Sequence, residues 1–396
     1  MKLEPGTYRV ADAGKFGKTM LIVGVVGLVI SAVGMGIDYE RFYYSYLVAF
    51  CFWVSLGLGA LFFTMLHHLV GATWSVVIRR ISESLMLVLP VMAIFFIPLI
   101  FGIHDLYHWS HAEAVETDPL LNMKAPYLNQ VFFIVRSFVY FAVWTLLAAR
   151  LYRMSIEGDK EFGPGHADRM RRTSAWGMVL FAFTVTFAGF DWLMSLSPHW
   201  YSTIFGVYFF SGGLLGAVAL LLVITLFMRS NGVLTETITE EHYHDLGKLL
   251  LGFTIFWGYI GFSQYLLIWY GNLPEETVWY LDRWHGSWKA VSLVIVMGNF
   301  AIPFLILLFQ RVKRRLGFMK GLAIWMLLMH WVDIYWLALP TYPGARNNAH
   351  FAWWDLTTMV GLGGIFLWFF WRTYCSRALV PVKDPKLKSS IEFMNM

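Results

Sequence analysis

Charge is scarce in this 396-residue chain: Asp, Glu, Lys and Arg make up 14% of it, against 58% hydrophobic residues. Soluble domains carry roughly 25% charged residues, so the shortage excludes an ordinary water-soluble domain. Cysteine is scarcer still, with only Cys51 and Cys375, both in or beside apolar runs. There is no CxxC and no CxxCH, hence no disulfide framework, no iron–sulfur ligand set and no c-type haem attachment. P-loop, GxSxG and HExxH signatures are also missing, and nothing points to nucleic acid as a partner.

What is abundant is the long apolar run. A membrane-spanning helix needs about 20 mostly apolar residues. Ten such runs lie near 19–37, 43–66, 81–103, 128–149, 174–196, 202–228, 248–270, 287–310, 318–339 and 353–371. Backbone groups in lipid must be satisfied within the segment or in a closed barrel, and these runs are too long for barrel strands. The expected fold is therefore all-α and integral to the membrane, with ten transmembrane helices. The first run begins after Lys18 without a clear small-residue cleavage site, so it reads as a spanning helix rather than a signal peptide.

The few charges are unevenly placed. With ten spans, both termini and every second loop share one side, and that side collects 24 of the 30 Lys and Arg residues. The six exceptions are Arg41, Lys124, Arg136, Arg283, Lys289 and Arg346. Positive charge favours the cytoplasmic side, so both termini are expected to be cytoplasmic in a bacterial inner membrane.

Two segments repeat a pattern. FAGFDWLMSLSP (187–198) and MHWVDIYWLALP (329–340) are apolar runs broken by one aspartate, with a proline seven positions on. They end spans five and nine, pairing Asp191 with Asp333 and Pro198 with Pro340. A weaker echo overlays YSYLVAFCFWVSLGLGA (44–60) on YSTIFGVYFFSGGLLGA (201–217) in spans two and six. Together they suggest two parallel four-helix bundles, spans two to five (43–201) and six to nine (202–340). An N-terminal segment with span one (1–42), and span ten with a basic tail (341–396), would flank them.

An ionisable residue at the centre of a span costs roughly 2.5–3.5 kcal/mol on insertion scales and usually faces the bundle interior with a partner. Asp191 and Asp333 each lie about 10 Å from the outer end of their helix, at 1.5 Å per residue. Arg136 in span four and Lys289 at the start of span eight sit at similar depth. The pairs Asp191–Arg136 and Asp333–Lys289 are therefore expected. Structural ion pairs and proton-relay groups both fit this pattern.

His330 and Asp333 are i and i+3 on one helix face, and a histidine beside a buried carboxylate can pass a proton near neutral pH. The first bundle has Ala188 in place of His330. Gln264 and Tyr265 in span seven, with Asn299 in span eight, could extend a polar track. At the other membrane face His67, His68, Arg79, Arg80 and Glu83 read either as an interfacial belt or as a second stretch of that track. No pair of histidines has the depth needed for haem b. His104, His108 and His111 in HDLYHWSHAE have spacing that could suit zinc if helical, although interfacial loops often hold such residues. EEHYHD (240–245) reads as a solvated acidic loop. No catalytic, cofactor-binding or metal residue is assigned.

Several stretches carry a family resemblance: YLNQVFFIVRSFVYF (127–141), FTVTFAGFDWLMSLSPHWYSTIFGVYFFSGG (183–213), HWVDIYWLALP (330–340) and HDLYHW (104–109). The chain resembles the NrfD/polysulfide-reductase type of membrane subunit along essentially its whole length. The likeness is stronger to the smaller such subunit of bacterial alternative complex III, a quinol:electron-acceptor oxidoreductase. The resemblance implies a cofactor-free scaffold with a proton pathway lined by Asp191, His330 and Asp333. Haem c and iron–sulfur clusters would sit in partners: a multihaem cytochrome c, an iron–sulfur protein and a larger NrfD-like subunit. It leaves quinone binding by this chain open and allows a terminal oxidase as a further partner. An independent proton-coupled secondary transporter and a purely structural membrane anchor remain as alternative readings. Against the transporter, Pro98 and Pro303 interrupt spans three and eight, which do not correspond in the repeat.

Overall fold

A computed structural model describes residues 1–4 and 7–395. The protein is an all-α integral membrane protein. Among the described residues ten helices are long and apolar enough to cross a membrane: Phe16–Ile37, Tyr39–Leu69, Val76–Phe101, Gln130–Lys160, His166–Leu196, Phe205–Ser230, Glu240–Gly271, Trp288–Leu308, Leu316–Thr341 and Trp353–Cys375. We call these spans one to ten. A short antiparallel pairing of Lys2–Leu3 with Val10–Asp12 precedes them.

Spans two and six form the centre. In each, 89% of the most apolar window is buried, against 22% for span one. They approach closely because small residues line their crossing. A Cβ on Gly59 would lie 2.6 Å from both the Gly213 carbonyl oxygen and the Ala217 Cβ. In the 44–60/201–217 overlay Gly59 matches Gly216 and Leu56 matches Gly213. The matched contact is present too, since a Cβ on Gly216 would lie 2.7 Å from Leu56 Cδ2. Reciprocal contacts of this kind are what a two-fold relation between spans two and six requires.

Around this seam, span two packs on spans three and five, with span four completing the group. Span six packs on spans seven and nine, with span eight outside them. Spans one and ten form a separate small-residue pair: a Cβ on Gly27 would meet Gly361 Cα at 2.8 Å, and Ser31 Oγ bonds Thr357 Oγ1 at 2.9 Å. Span ten then leans on span two.

Two spans depart from regular α-helix. Span three consists of Val76–Met86 and Leu89–Phe101, with the junction at Leu87–Val88, just before Pro90. Proline has no N–H to donate back into the preceding turn, so the junction falls there. Pro98, expected to interrupt the span, lies inside its second helix. In span eight a π-helical turn, Val296–Ala301, precedes Pro303 and takes up the lost hydrogen bond.

Candidate functional site

The two aspartates have different surroundings. Asp191 is fully buried and clamped by span four: Arg136 Nε reaches Oδ2 at 2.8 Å and Nη2 reaches Oδ1 at 2.9 Å. Tyr140 donates to Oδ2 at 2.7 Å. The guanidinium is fixed in turn by the Tyr127 carbonyl at 2.8 Å and by the Tyr127 ring, 3.8 Å away. This is the expected Asp191–Arg136 pair, in bidentate geometry that gives both carboxylate oxygens a charged donor.

Asp333 has no such partner. Tyr208 of span six donates to Oδ1 at 2.6 Å, and the Trp257 indole of span seven donates to Oδ2 at 3.1 Å. Lys289, expected to pair with it, is exposed, and its ammonium sits 5.3 Å from the Trp284 ring. The pairing fails because span eight begins at Trp288, leaving Lys289 in its first turn on the outer face. The buried cation on this side is Arg283, whose donors go to the carbonyls of Trp336, Trp279 and Leu337 at 3.2, 2.9 and 2.8 Å. Burial lowers its pKa to about 9. Arg283 thus caps the outer end of span nine and makes no ion pair with Asp333.

The repeat explains part of the difference. Under the same overlay Tyr208 matches Cys51 and Gly212 matches Ser55. A phenol reaches the second aspartate where the first unit has a thiol. Span two instead offers Ser55 across the seam, 2.8 Å from His330 Nε2. The Ser55 hydroxyl also lies 2.7 Å from the Phe52 carbonyl as a donor, an arrangement that fits a proton on His330 Nε2. His330 Nδ1 is left buried, without a hydrogen-bond partner among the described residues. A Cβ at Gly212 would lie 3.2 Å from that nitrogen and 3.5 Å from Asp333 Oδ2. A methyl group there would press on the His330 ring and touch Asp333, so glycine leaves both groups facing the same space.

Gln264 lies two turns outward of Trp257 on span seven, accepting from Ser202 Oγ and donating to the Tyr280 hydroxyl, each at 3.1 Å; among the described residues no hydrogen bond links this group to Asp333. Tyr265, 44% exposed, packs its ring edge-on against Tyr280 with centroids 5.3 Å apart, and makes no side-chain hydrogen bond among the described residues. Asn299 is fully buried in the π-turn, with neither amide atom bonded among the described residues.

Toward the basic membrane face, Glu83 is fully buried. Ser155 Oγ donates to it at 2.8 Å, and Arg79 Nε lies 3.2 Å away. Arg79 also pairs Asp384 and Arg80 pairs Asp159, each at 2.8 Å. The group is thus an interior charge network rather than an interfacial belt, because Asp384 and Ser390 belong to a tail that folds back beneath it. Ser390 Oγ bonds the Trp74 carbonyl at 2.7 Å. His67 Nδ1 is tied to the Phe63 carbonyl at 2.6 Å, and His68 Nε2 has no partner among the described residues. EEHYHD is not a solvated loop: it opens the Glu240–Gly271 helix, with His242, Tyr243 and His244 buried.

Besides the pairs made by the tail, sequence reasoning missed the buried ion pair Arg41–Asp355 at 2.6 Å, which ties span ten to span two with Ser45 bonded to both residues. The signal was present, since Arg41 and Asp355 each open an apolar run. On the outer side Asp118 and His199 pair at 2.5 Å, and the imidazole's hydrogen bond holds the Asp118 carboxyl below its ordinary pKa. The rings of His104 and His111 lie 5.3 Å apart, but His104 Nε2 is engaged by Gln130 at 2.9 Å. Among the described residues no group of three or more His, Cys, Asp or Glu side chains converges as a metal site.

No protein-family model matches the chain, and no curated protein matches it either.

Proposed function

We propose that this protein is a cofactor-free membrane subunit of a respiratory quinol:electron-acceptor oxidoreductase of the alternative complex III type, in which it provides scaffold and a proton pathway. The observation that carries the pathway is the pairing of Asp333, buried without a cation, with His330, whose Nδ1 is free. Asp191, held at both oxygens by Arg136, is the structural member of the pair. Asp333 can hold a proton in one state and release it in another without breaking an ion pair.

The polar interior supports a path that crosses between the helix groups. Its outer part lies in the second: Ser202, Gln264 and Tyr280, then Asp333 with Tyr208, then His330. Its inner part lies in the first: Thr64 Oγ1 bonds Ser82 Oγ at 3.0 Å, one residue before Glu83. The parts meet across the His330–Ser55 contact. Between Ser55 and Thr64, nine residues or about 13 Å along span two, a crevice lined by Leu58, Gly59, Phe209 and Phe210 admits no water-sized sphere. A water chain through this seam would need the crevice to open during turnover.

Membership of the complex rests on the sequence resemblance, which covers Arg136, Asp191, His330 and Asp333. Its partners would be the multihaem cytochrome c, the iron–sulfur protein and the larger NrfD-like subunit, in a bacterial inner membrane with both termini cytoplasmic. The test is capture of the chain from mildly solubilised native membranes, followed by proton-to-electron stoichiometry in proteoliposomes. Co-purifying haem and iron–sulfur subunits, with coupling lowered by Asp333→Asn but kept in Asp191→Asn, are expected. A colourless chain without these partners would overturn the complex. An assembled Asp333→Asn complex with full coupling would overturn the pathway.

A further inference from the structure

The arginines on the lipid-facing flank of spans four and five play no part in the site above. Arg150 and Arg153 of span four, and Arg169 and Arg172 of span five, are exposed. Among the described residues Arg150, Arg153 and Arg172 form no ion pair, and Arg169 bonds only the His166 ring nitrogen at 3.1 Å. Neighbouring Arg171 differs, since it pairs Asp168 at 3.0 Å.

These four residues share one depth. The two helices run antiparallel, and their register is fixed by Trp144 bonding Thr184 at 2.8 Å and by His166 bonding the Met154 carbonyl at 2.8 Å. Between these ties Leu147 lies against Gly177. Arg150 and Arg153 therefore stand level with the 169–174 stretch of span five.

They also share one side. At roughly 100° per residue, Arg150 and Arg153 are rotated off Leu147 in the same sense as Arg169, Arg172 and Trp176 are rotated off Gly177. On antiparallel neighbours an equal sense of rotation points to the same flank. Trp176, 47% exposed, marks the headgroup level, where indoles concentrate. Leu146, Val179, Leu180 and Phe183 continue the flank into the hydrocarbon, exposed by 70, 57, 41 and 63%.

We propose that this flank is a binding site for an anionic glycerophospholipid, with a two-phosphate headgroup held by Arg150, Arg153, Arg169 and Arg172 and acyl chains lying on the apolar stripe below. Four guanidinium groups at one depth, none in an ion pair among the described residues, complement two phosphates, each able to take paired N–H donors. Glu157, exposed one turn beyond Arg153, limits the patch on its aqueous side.

The test is native mass spectrometry of the delipidated full chain titrated with cardiolipin or phosphatidylcholine. Each cation near an anionic headgroup is worth a factor of about 5 in affinity, so the triple variant Arg150→Gln/Arg169→Gln/Arg172→Gln should bind cardiolipin about 100-fold more weakly. The corresponding triple lysine variant keeps the charge and should stay within about 5-fold of the parent chain. A control on the same membrane side, Arg311→Gln/Arg315→Gln/Lys320→Gln, should bind as the parent does. Undiminished binding by the glutamine variant overturns the proposal, as does an equal loss in the control, which would mean diffuse attraction only. A parent chain that binds cardiolipin no better than phosphatidylcholine overturns it as well.

Discussion

Removing the Arg136 side chain should be among the most damaging single changes in the protein, and removing the Lys289 side chain among the least. Arg136 supplies both charged contacts to Asp191, at 2.8 and 2.9 Å. Asp191 is fully buried, so Arg136→Gln strands a carboxylate with Tyr140 as its remaining side-chain donor. Breaking a buried pair by deleting one partner costs about 3–5 kcal/mol, mostly from the uncompensated charge. The double change Arg136→Gln/Asp191→Asn removes that charge and should recover at least half of the loss. Lys289→Gln should stay within about 0.5 kcal/mol, because an exposed lysine without an acidic partner has little to lose. Reversible unfolding by SDS titration in mixed micelles would measure all three. Equal losses in Arg136→Gln and Lys289→Gln, or no recovery in the double variant, would refute the assignment of Asp191 as a clamped structural acid.

At the central crossing, Gly59→Ala would force a methyl group to 2.6 Å from the Gly213 carbonyl and should cost about 1–3 kcal/mol in the same titration. Gly317→Ala, with open space around it, should be neutral or slightly stabilising. Arg41→Ala should cost about 3–5 kcal/mol by stranding Asp355, and limited proteolysis should then show span ten released from span two. On the outer surface the Asp118–His199 contact should be pH-dependent. The Asp118 pKa is depressed in the folded protein, so its contribution is complete above the ordinary carboxylate pKa and is lost as pH falls through the lower folded value. Hydrogen exchange in 112–124, corrected for intrinsic rate, should therefore rise at acid pH in the parent chain, while Asp118→Asn is insensitive.

Much of this architecture is legible in the sequence because lipid leaves few choices. Apolar run length yields the ten spans, and the acid–proline repeat points to the matched helix ends at Asp191 and Asp333. The Arg136–Asp191 pair is also readable, since both residues must be buried at one depth and each needs the other. Its analogue, Asp333–Lys289, is misread because depth alone says nothing of rotation, and Lys289 lies on the outer face of its helix. The true donors, Tyr208 and Trp257, are hidden among many aromatics that belt and packing roles explain equally well. The His330–Ser55 contact joins residues of different helix groups, and its distance along the chain leaves no local periodicity to betray it. The network around Glu83 was obscured similarly: its burial depends on the tail at 384–390 folding back, which short-range patterns do not encode.

The most direct test of the central claim, that Asp333 exchanges a proton while Asp191 does not, is an infrared difference spectrum of the assembled complex recorded on a redox jump. The expected result is a carboxyl signal that disappears in Asp333→Asn and persists in Asp191→Asn. A signal that survives Asp333→Asn and vanishes with Asp191→Asn would contradict the claim, and with it the division of the two aspartates into one that works and one that holds.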